Sequence, residues 1–186
     1  METMKKILLV ASLVVLGLSP LASAQSSSGT LTVTATVVGS IQFTFEQNVA
    51  GFNLGAGAGT NAATVAFGNI SFFGYTPPAG VTQTLNSPAA GDFKVSTPVD
   101  VKVEKSNSSS ANYTLTAQLG SAPAAGISFT YGGSTLSSGS AATLTTTGSY
   151  GTQTARTLEL IVASTFSAAA GGTSVNNTVN FVATAN

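Results

Sequence analysis

The sequence predicts an all-β chain, folded as an antiparallel sandwich or barrel, and three observations carry that expectation. Beyond residue 24 no stretch has helical periodicity. Apolar residues instead come in short runs that alternate with polar ones, which gives one buried and one wet face per segment. Clusters of Gly, Ser, Asn and Pro separate the runs, and many short strands with turn signals between them close into a sandwich or barrel.

The first 24 residues stand apart from the fold. Lys5 and Lys6 give a basic start, Ile7 to Leu18 is apolar, and Ala22-Ser23-Ala24 is a small-residue cleavage signal. Residues 1–24 are therefore expected to be a signal peptide, with the exported chain beginning at Gln25. An apolar run of about twelve residues falls short of the roughly 20 that a membrane-spanning helix needs, and no later run reaches that length. The expectation is a secreted protein with no membrane span.

The first strand signal is also the longest. In "GTLTVTATVVGSIQFTFE" (29–46), Leu31, Val33, Ala35, Val37, Ile41, Phe43 and Phe45 share one parity, and mostly Thr occupies the other. Leu31 to Phe45 would extend roughly 50 Å at about 3.3 Å per residue, against about five or six residues for a typical strand. Gly39-Ser40 offers a division. Ile41 to Phe45 then serves as a domain's own first strand, and 25–39 is an N-terminal extension ahead of a domain at 40–186. The competing reading is one strand that bends at Gly39 and switches sheets.

Further strands are expected at 63–67, 69–73, 92–97, 99–104, 112–119, 126–131, 142–146, 154–163 and 175–183. Among these, "DFKVSTPVDVKVEK" (92–105) is the clearest: Phe93, Val95, Val99, Val101 and Val103 oppose Asp92, Lys94, Ser96, Asp100, Lys102 and Glu104. Pro98 cannot donate to a ladder, so a break, a bulge or a sheet edge is expected there. The charged parity reads as a solvated face whose alternating signs satisfy one another and discourage edge pairing. "GFNLGAGAGTN" (51–61) and "GYTPPAGVTQTLNSPAAG" (74–91) read as the main loops.

Composition excludes most chemistry. The chain has no His and no Cys, which removes the commonest general base, the thiol nucleophile and the usual transition-metal ligands. Nucleophile-elbow, Ser-x-x-Lys and phosphate-loop motifs are missing, and "GAGAG" precedes neither a helix nor a Lys. Beyond residue 24 there are four basic and five acidic side chains, a net of −1, so no basic footprint for nucleic acid exists. Asp92, Asp100, Glu104, Glu159 and Glu46 supply the only carboxylates for a glycosidase pair. Asn69, Asn107, Asn112 and Asn176 each begin an Asn-x-Ser/Thr triplet, which a chain this rich in Asn, Ser and Thr produces by chance. Neither enzyme activity nor a cofactor is expected. "ISFFGY" (70–75) places Phe72, Phe73 and Tyr75 beside a Pro-rich loop, a candidate contact patch for a partner or a sugar.

Several motifs together resemble a known family. "AFGNI" (66–70), "VDVKVEKSNSSSANYTLTAQL" (99–119) and "AGGTSVNNTVNFVATAN" (170–186) resemble the Phe-Gly strand ending, the central strand pair and the closing strand of pilin-like subunits of the spore-coat-U-like and archaic chaperone–usher type. The resemblance implies an immunoglobulin-like sandwich that lacks its last strand and is completed by the N-terminal extension of a neighbouring subunit. Leu31, Val33, Ala35 and Val37 would then be the inserted side chains. It further implies a fimbrium-like homopolymer at the cell surface. A periplasmic chaperone and an outer-membrane assembly protein would be its partners in transit. The chain departs from that pattern in lacking a disulfide and in having little linker at Gly39. The alternative reading is a monomeric adhesive or carbohydrate-binding sandwich.

Overall fold

Residues that alternate in sequence do so here because one side of each strand meets a shared core. The computed structural model describes residues 30–186, so the expected signal peptide lies outside the described residues. The chain divides into two units, Met1–Thr36 and Val37–Asn186. In the first, residues 30–36 carry no regular secondary structure and are exposed, with Leu31 at 86% and Val33 at 80%.

The second unit contains ten strands among the described residues. They are β1 (Ser40–Glu46), β2 (Thr82–Leu85), β3 (Phe93–Pro98), β4 (Asp100–Ser106), β5 (Tyr113–Leu119), β6 (Ile127–Tyr131), β7 (Ser134–Leu136), β8 (Ala142–Gly148), β9 (Thr157–Val162) and β10 (Val179–Ala185). All pairing is antiparallel, in three sheets ordered β1-β4, β10-β5-β8 and β2-β3-β9-β6-β7. Each sheet has open edges, so of the two architectures expected the chain adopts the sandwich and not a closed barrel. One contiguous core draws Val95, Val101, Val103, Leu115 and Leu119 from several of these strands.

Proline places the main discontinuity. β3 and β4 run almost end to end, and the interruption falls at Pro98–Val99, as the missing proline donor requires. On one side of it β3 pairs with β9; on the other β4 pairs with β1 through Ser40↔Ser106 to Glu46↔Asp100. Val99 is held by Arg156, whose carbonyl accepts its N–H at 2.8 Å, and by the Tyr131 hydroxyl, which donates to its carbonyl at 2.8 Å.

The charged parity of this segment departs from the solvated face expected of it. Asp92 and Asp100 are buried, at 8% and 3% exposure. Asp100 follows the break at Val99 and Asp92 lies just before β3, so neither keeps the parity of β3, and neutral donors compensate the carboxylates. Asn48 Nδ2 donates to both oxygens of Asp100 at 3.0 Å and Gln153 Nε2 to one at 2.8 Å. Asp92 accepts the Ser164 and Ala89 amides at 2.8 and 3.2 Å. Lys102 behaves as expected and bridges Glu46 and Glu104, each at 3.2 Å.

Two further differences bear on function. The expected strands at 63–67 and 69–73 are not strands, although Ala63, Val65 and Phe67 do alternate inward as predicted. Their pattern is right for a sheet face, but they have no ladder to join. In contrast β2 arises inside the 74–91 stretch read as a loop and β7 where no strand was expected, because each needs only three or four residues beside an existing strand.

Candidate functional site

The site is a long groove of about 2110 Å³ in the second unit. Its floor is the inner face of β6 and β9. The register there sets three rungs two residues apart, Tyr131↔Leu158, Phe129↔Leu160 and Ile127↔Val162, with Phe93 of β3 opposite Val162 in the last. All these side chains line the groove. Nothing on the floor is charged.

Two chain edges form the walls. One is β1, presenting Ile41, Phe43 and Phe45, continued by segment 60–73, which joins no strand ladder beyond a bridge from Thr60 to Phe45; the other is 171–181, ending in β10. β1 forms a ladder only with β4, and β10 only with β5; the other edge of β1 is met at Phe45, whose N–H donates to the Thr60 carbonyl and whose carbonyl accepts the Gly59 N–H, each at 2.7 Å. At one end the walls meet through side chains alone. Phe181 stacks on Phe43 at 5.3 Å and meets Phe45 and Tyr131 edge-on at 5.4 and 5.1 Å.

The two walls run in opposite directions. Ser40 begins β1 opposite Ser106, Ala185 ends β10 opposite Tyr113, and only residues 107–112 separate Ser106 from Tyr113. The start of β1 and the end of β10 therefore share one end of the domain. Gly39 lies at this end, where a Cβ would stand 2.9 Å from the Asn107 carbonyl oxygen. This close approach accounts for a glycine at the division read from the sequence.

No charged side chain lines the groove, and the Lys94–Glu159 pair lies outside it. On the outer face of the five-stranded sheet Lys94 donates to Glu159 at 2.6 Å and Thr130 donates to it at 2.8 Å, which joins β3, β9 and β6. The Lys94 hydrogen bond, followed by that of Thr130, holds the Glu159 carboxyl below the ordinary carboxylate range. Burial pushes the Tyr131 phenol well above the ordinary tyrosine range, so the groove floor stays neutral at accessible pH. The carboxylates are each committed to structural partners. No cluster of three or more metal-ligating side chains occurs among the described residues, and no helix among them is long and apolar enough to cross a membrane.

The residues singled out from sequence divide between three places. Leu31, Val33 and Ala35 lie in the first unit, exposed and without strand pairing; Val37 begins the second unit and is 75% exposed. Phe72 and Phe73 are at the groove, near the Phe93 end, with Phe72 edge-on to Phe73 at 4.7 Å and to Phe93 at 6.1 Å. Phe73 is 81% exposed. Tyr75 turns its hydroxyl onto the Phe67 carbonyl at 2.7 Å, and burial raises its pKa.

Sequence reasoning expected an unfilled groove only through the family resemblance and did not name its floor. Phe43, Phe45, Phe129, Leu158 and Phe181 all have the parity of core residues, and parity does not tell a covered face from one awaiting cover. The available signal was the surplus alternating run at 31–37, which joins none of the chain's own sheets.

No family model and no curated protein matches this sequence.

Proposed function

We propose that this protein is an exported structural subunit of an extracellular, pilus-like filament, in which residues 31–37 of one copy fill the groove of the next. The observation that carries this reading is an apolar floor, from Tyr131 to Ile127, bordered by segments 60–73 and 171–178 that form no strand, with the edges of β1 and β10 beyond its Tyr131 end. The same chain holds a spare alternating segment, Leu31, Val33, Ala35 and Val37, that buries nothing of its own. Strand addition supplies main-chain hydrogen bonds along a chain edge and seats every second side chain over the floor.

The strand edges left unpaired and the exposed Phe73 at the groove's rim are an aggregation hazard until they are covered. That hazard is a reason for a periplasmic chaperone and an outer-membrane assembly protein to accompany the subunit, in line with the pilin-like resemblance. A monomeric sugar-binding role draws less support: the Tyr75 hydroxyl is already used within the chain, which leaves Phe73 as the one well-exposed ring of the patch.

The test is the size distribution of the protein after residue 24, by light scattering and negative-stain electron microscopy, beside its Val33→Asp variant. Filaments from the parent and monomers from the variant are expected, because a carboxylate cannot be seated among Phe129, Leu160 and their neighbours without a partner. Filaments from both, or a stable monomer from the parent, would overturn strand donation.

A further inference from the structure

The groove has two mouths, and the fold distinguishes them. The chain enters β1 at Ser40, at the end shared with Ala185 and the 107–112 connection. The other mouth lies by Phe72, Phe93 and Phe166. Phe93 and Ser106 bound the continuous β3–β4 line, so at about 3.3 Å per residue the mouths are roughly 40 Å apart.

If a neighbour's segment entered at the Ser40 end, two copies would meet by the same end. Each could then donate to the other, and a closed pair would result. Entry at the Phe93 end makes every contact head-to-tail and leaves the chain open to grow. The segment then runs with its Leu31 deepest, toward Tyr131 and Leu158. With Leu31 placed there, the two-residue strand period puts Val33 on the Phe129–Leu160 rung and Ala35 on the Ile127–Val162 rung. Val37 comes one rung further out, beyond the floor.

What stands at that position is the aromatic pair. Resting on strand donation as proposed above, we infer that Phe72 and Phe73 form the entry mouth of the groove and pack on Val37 and Val38 of the neighbouring copy. Phe73 is 81% exposed and Val38 72% exposed, two apolar side chains that the isolated chain leaves in water. Phe72 lines the groove and holds Phe73 at its rim, continuous with the floor through Phe93. Val38 has the parity opposite to Val37, so it faces away from the floor and toward the rim that Phe73 occupies.

The chain has no Cys, so introduced thiols report on this contact alone. The experiment uses the whole exported chain carrying Val38→Cys and Phe73→Cys together, oxidised after assembly and run on a denaturing gel without reductant. Within one copy the two positions sit near opposite mouths, far beyond the roughly 7 Å between Cα atoms that a disulfide tolerates. A ladder of many covalently joined copies is expected, absent from either single variant and absent when Val33→Asp is added. Filaments visible by microscopy that run as monomers on the gel would overturn the Phe72–Phe73 mouth and leave strand donation standing. A lone covalent dimer, formed also by Val38→Cys alone, would place the contact at the Ser40 end and overturn the inference. Failure of the parent to form filaments would remove the donation reading, and this inference with it.

Discussion

Phe43 and Phe181 stack at 5.3 Å with their planes 17° apart, yet the strands that carry them exchange no ladder hydrogen bonds. Aromatic contact alone joins the two walls at that end of the groove. Phe181 is only partly buried, although it also meets Phe45 and Tyr131. Fully buried Phe→Ala changes cost about 3–5 kcal/mol, so a half-buried ring with three aromatic neighbours should be worth about 2 kcal/mol. Phe181→Ala is expected to lower the urea midpoint of the unassembled chain by that amount with an unchanged slope. A loss below about 0.5 kcal/mol, the scale of ordinary surface changes, would mean that the rings do not brace the walls.

Thr97 ties three segments through one hydroxyl. It is fully buried, accepts the Phe52 amide at 2.8 Å and donates to the Gly80 carbonyl at 2.7 Å. Thr97→Val keeps the volume and strands both backbone groups, which should cost about 1–3 kcal/mol in thermal or denaturant unfolding. Gly80 is constrained at the same junction: its φ is +80° and a Cβ would stand 2.1 Å from the Gly51 carbonyl oxygen. Gly80→Ala should therefore destabilise as well, and a neutral result in both variants would show that the 47–54 loop docks independently of β3.

Stability should form a plateau over the neutral range and fall on either side. The chain has no His and no Cys, so no side chain of ordinary pKa titrates between about pH 5 and 8. Asp92, held by the Ser164 amide, and Glu159, held by Lys94, have folded pKa values below their ordinary 3.8 and 4.5. A depressed carboxyl contributes fully above its unfolded value, and the contribution is lost as pH falls through the folded one. Lys102 is raised above 10.5, first by Glu104 and then by Glu46, so its contribution is complete below 10.5 and lost as pH rises through the folded value. Urea midpoints should be level from about pH 5 to 9 and decline below pH 4.5, less steeply in Glu159→Gln. A decline centred near pH 6.5 would contradict this assignment.

The fold class could be read because period-two alternation survives strictly in β3, β5 and β6 and over most of β10. Pro98 likewise announced the break between β3 and β4 through its missing donor. Three features were hidden, each for a physical reason. Asp100 looked solvated because one-dimensional parity cannot register the turn at Val99 that buries it beside Asn48 and Gln153. Segment 63–67 looked like a strand because Ala63, Val65 and Phe67 obey the side-chain rule, whereas strand identity also requires a neighbour. The residues lining the groove were hidden because Phe43, Leu158 and Phe181 carry the same residue types as any covered core position.

The groove should also accept the segment as a separate peptide. In the full chain carrying Val33→Asp the donor is disabled, but the floor and both walls are untouched, so a synthetic peptide of residues 29–38 meets an empty site. A ligand that binds only the folded state raises its stability by RT ln(1 + [L]/Kd), about 2.7 kcal/mol at a hundredfold excess over Kd. Addition of the peptide should therefore raise the unfolding midpoint in a concentration-dependent way. A peptide with Asp at its Val33 position, and one in which each Thr exchanges place with the apolar residue after it, should leave the midpoint unchanged. Exchange reverses which residues face Phe129 and Leu160 while keeping composition, so it separates register from general stickiness. Equal stabilisation by the parent and the exchanged peptide would indicate nonspecific adsorption to exposed apolar surface. Stabilisation by the parent alone would tie the alternation of 31–37 to the rungs of the groove.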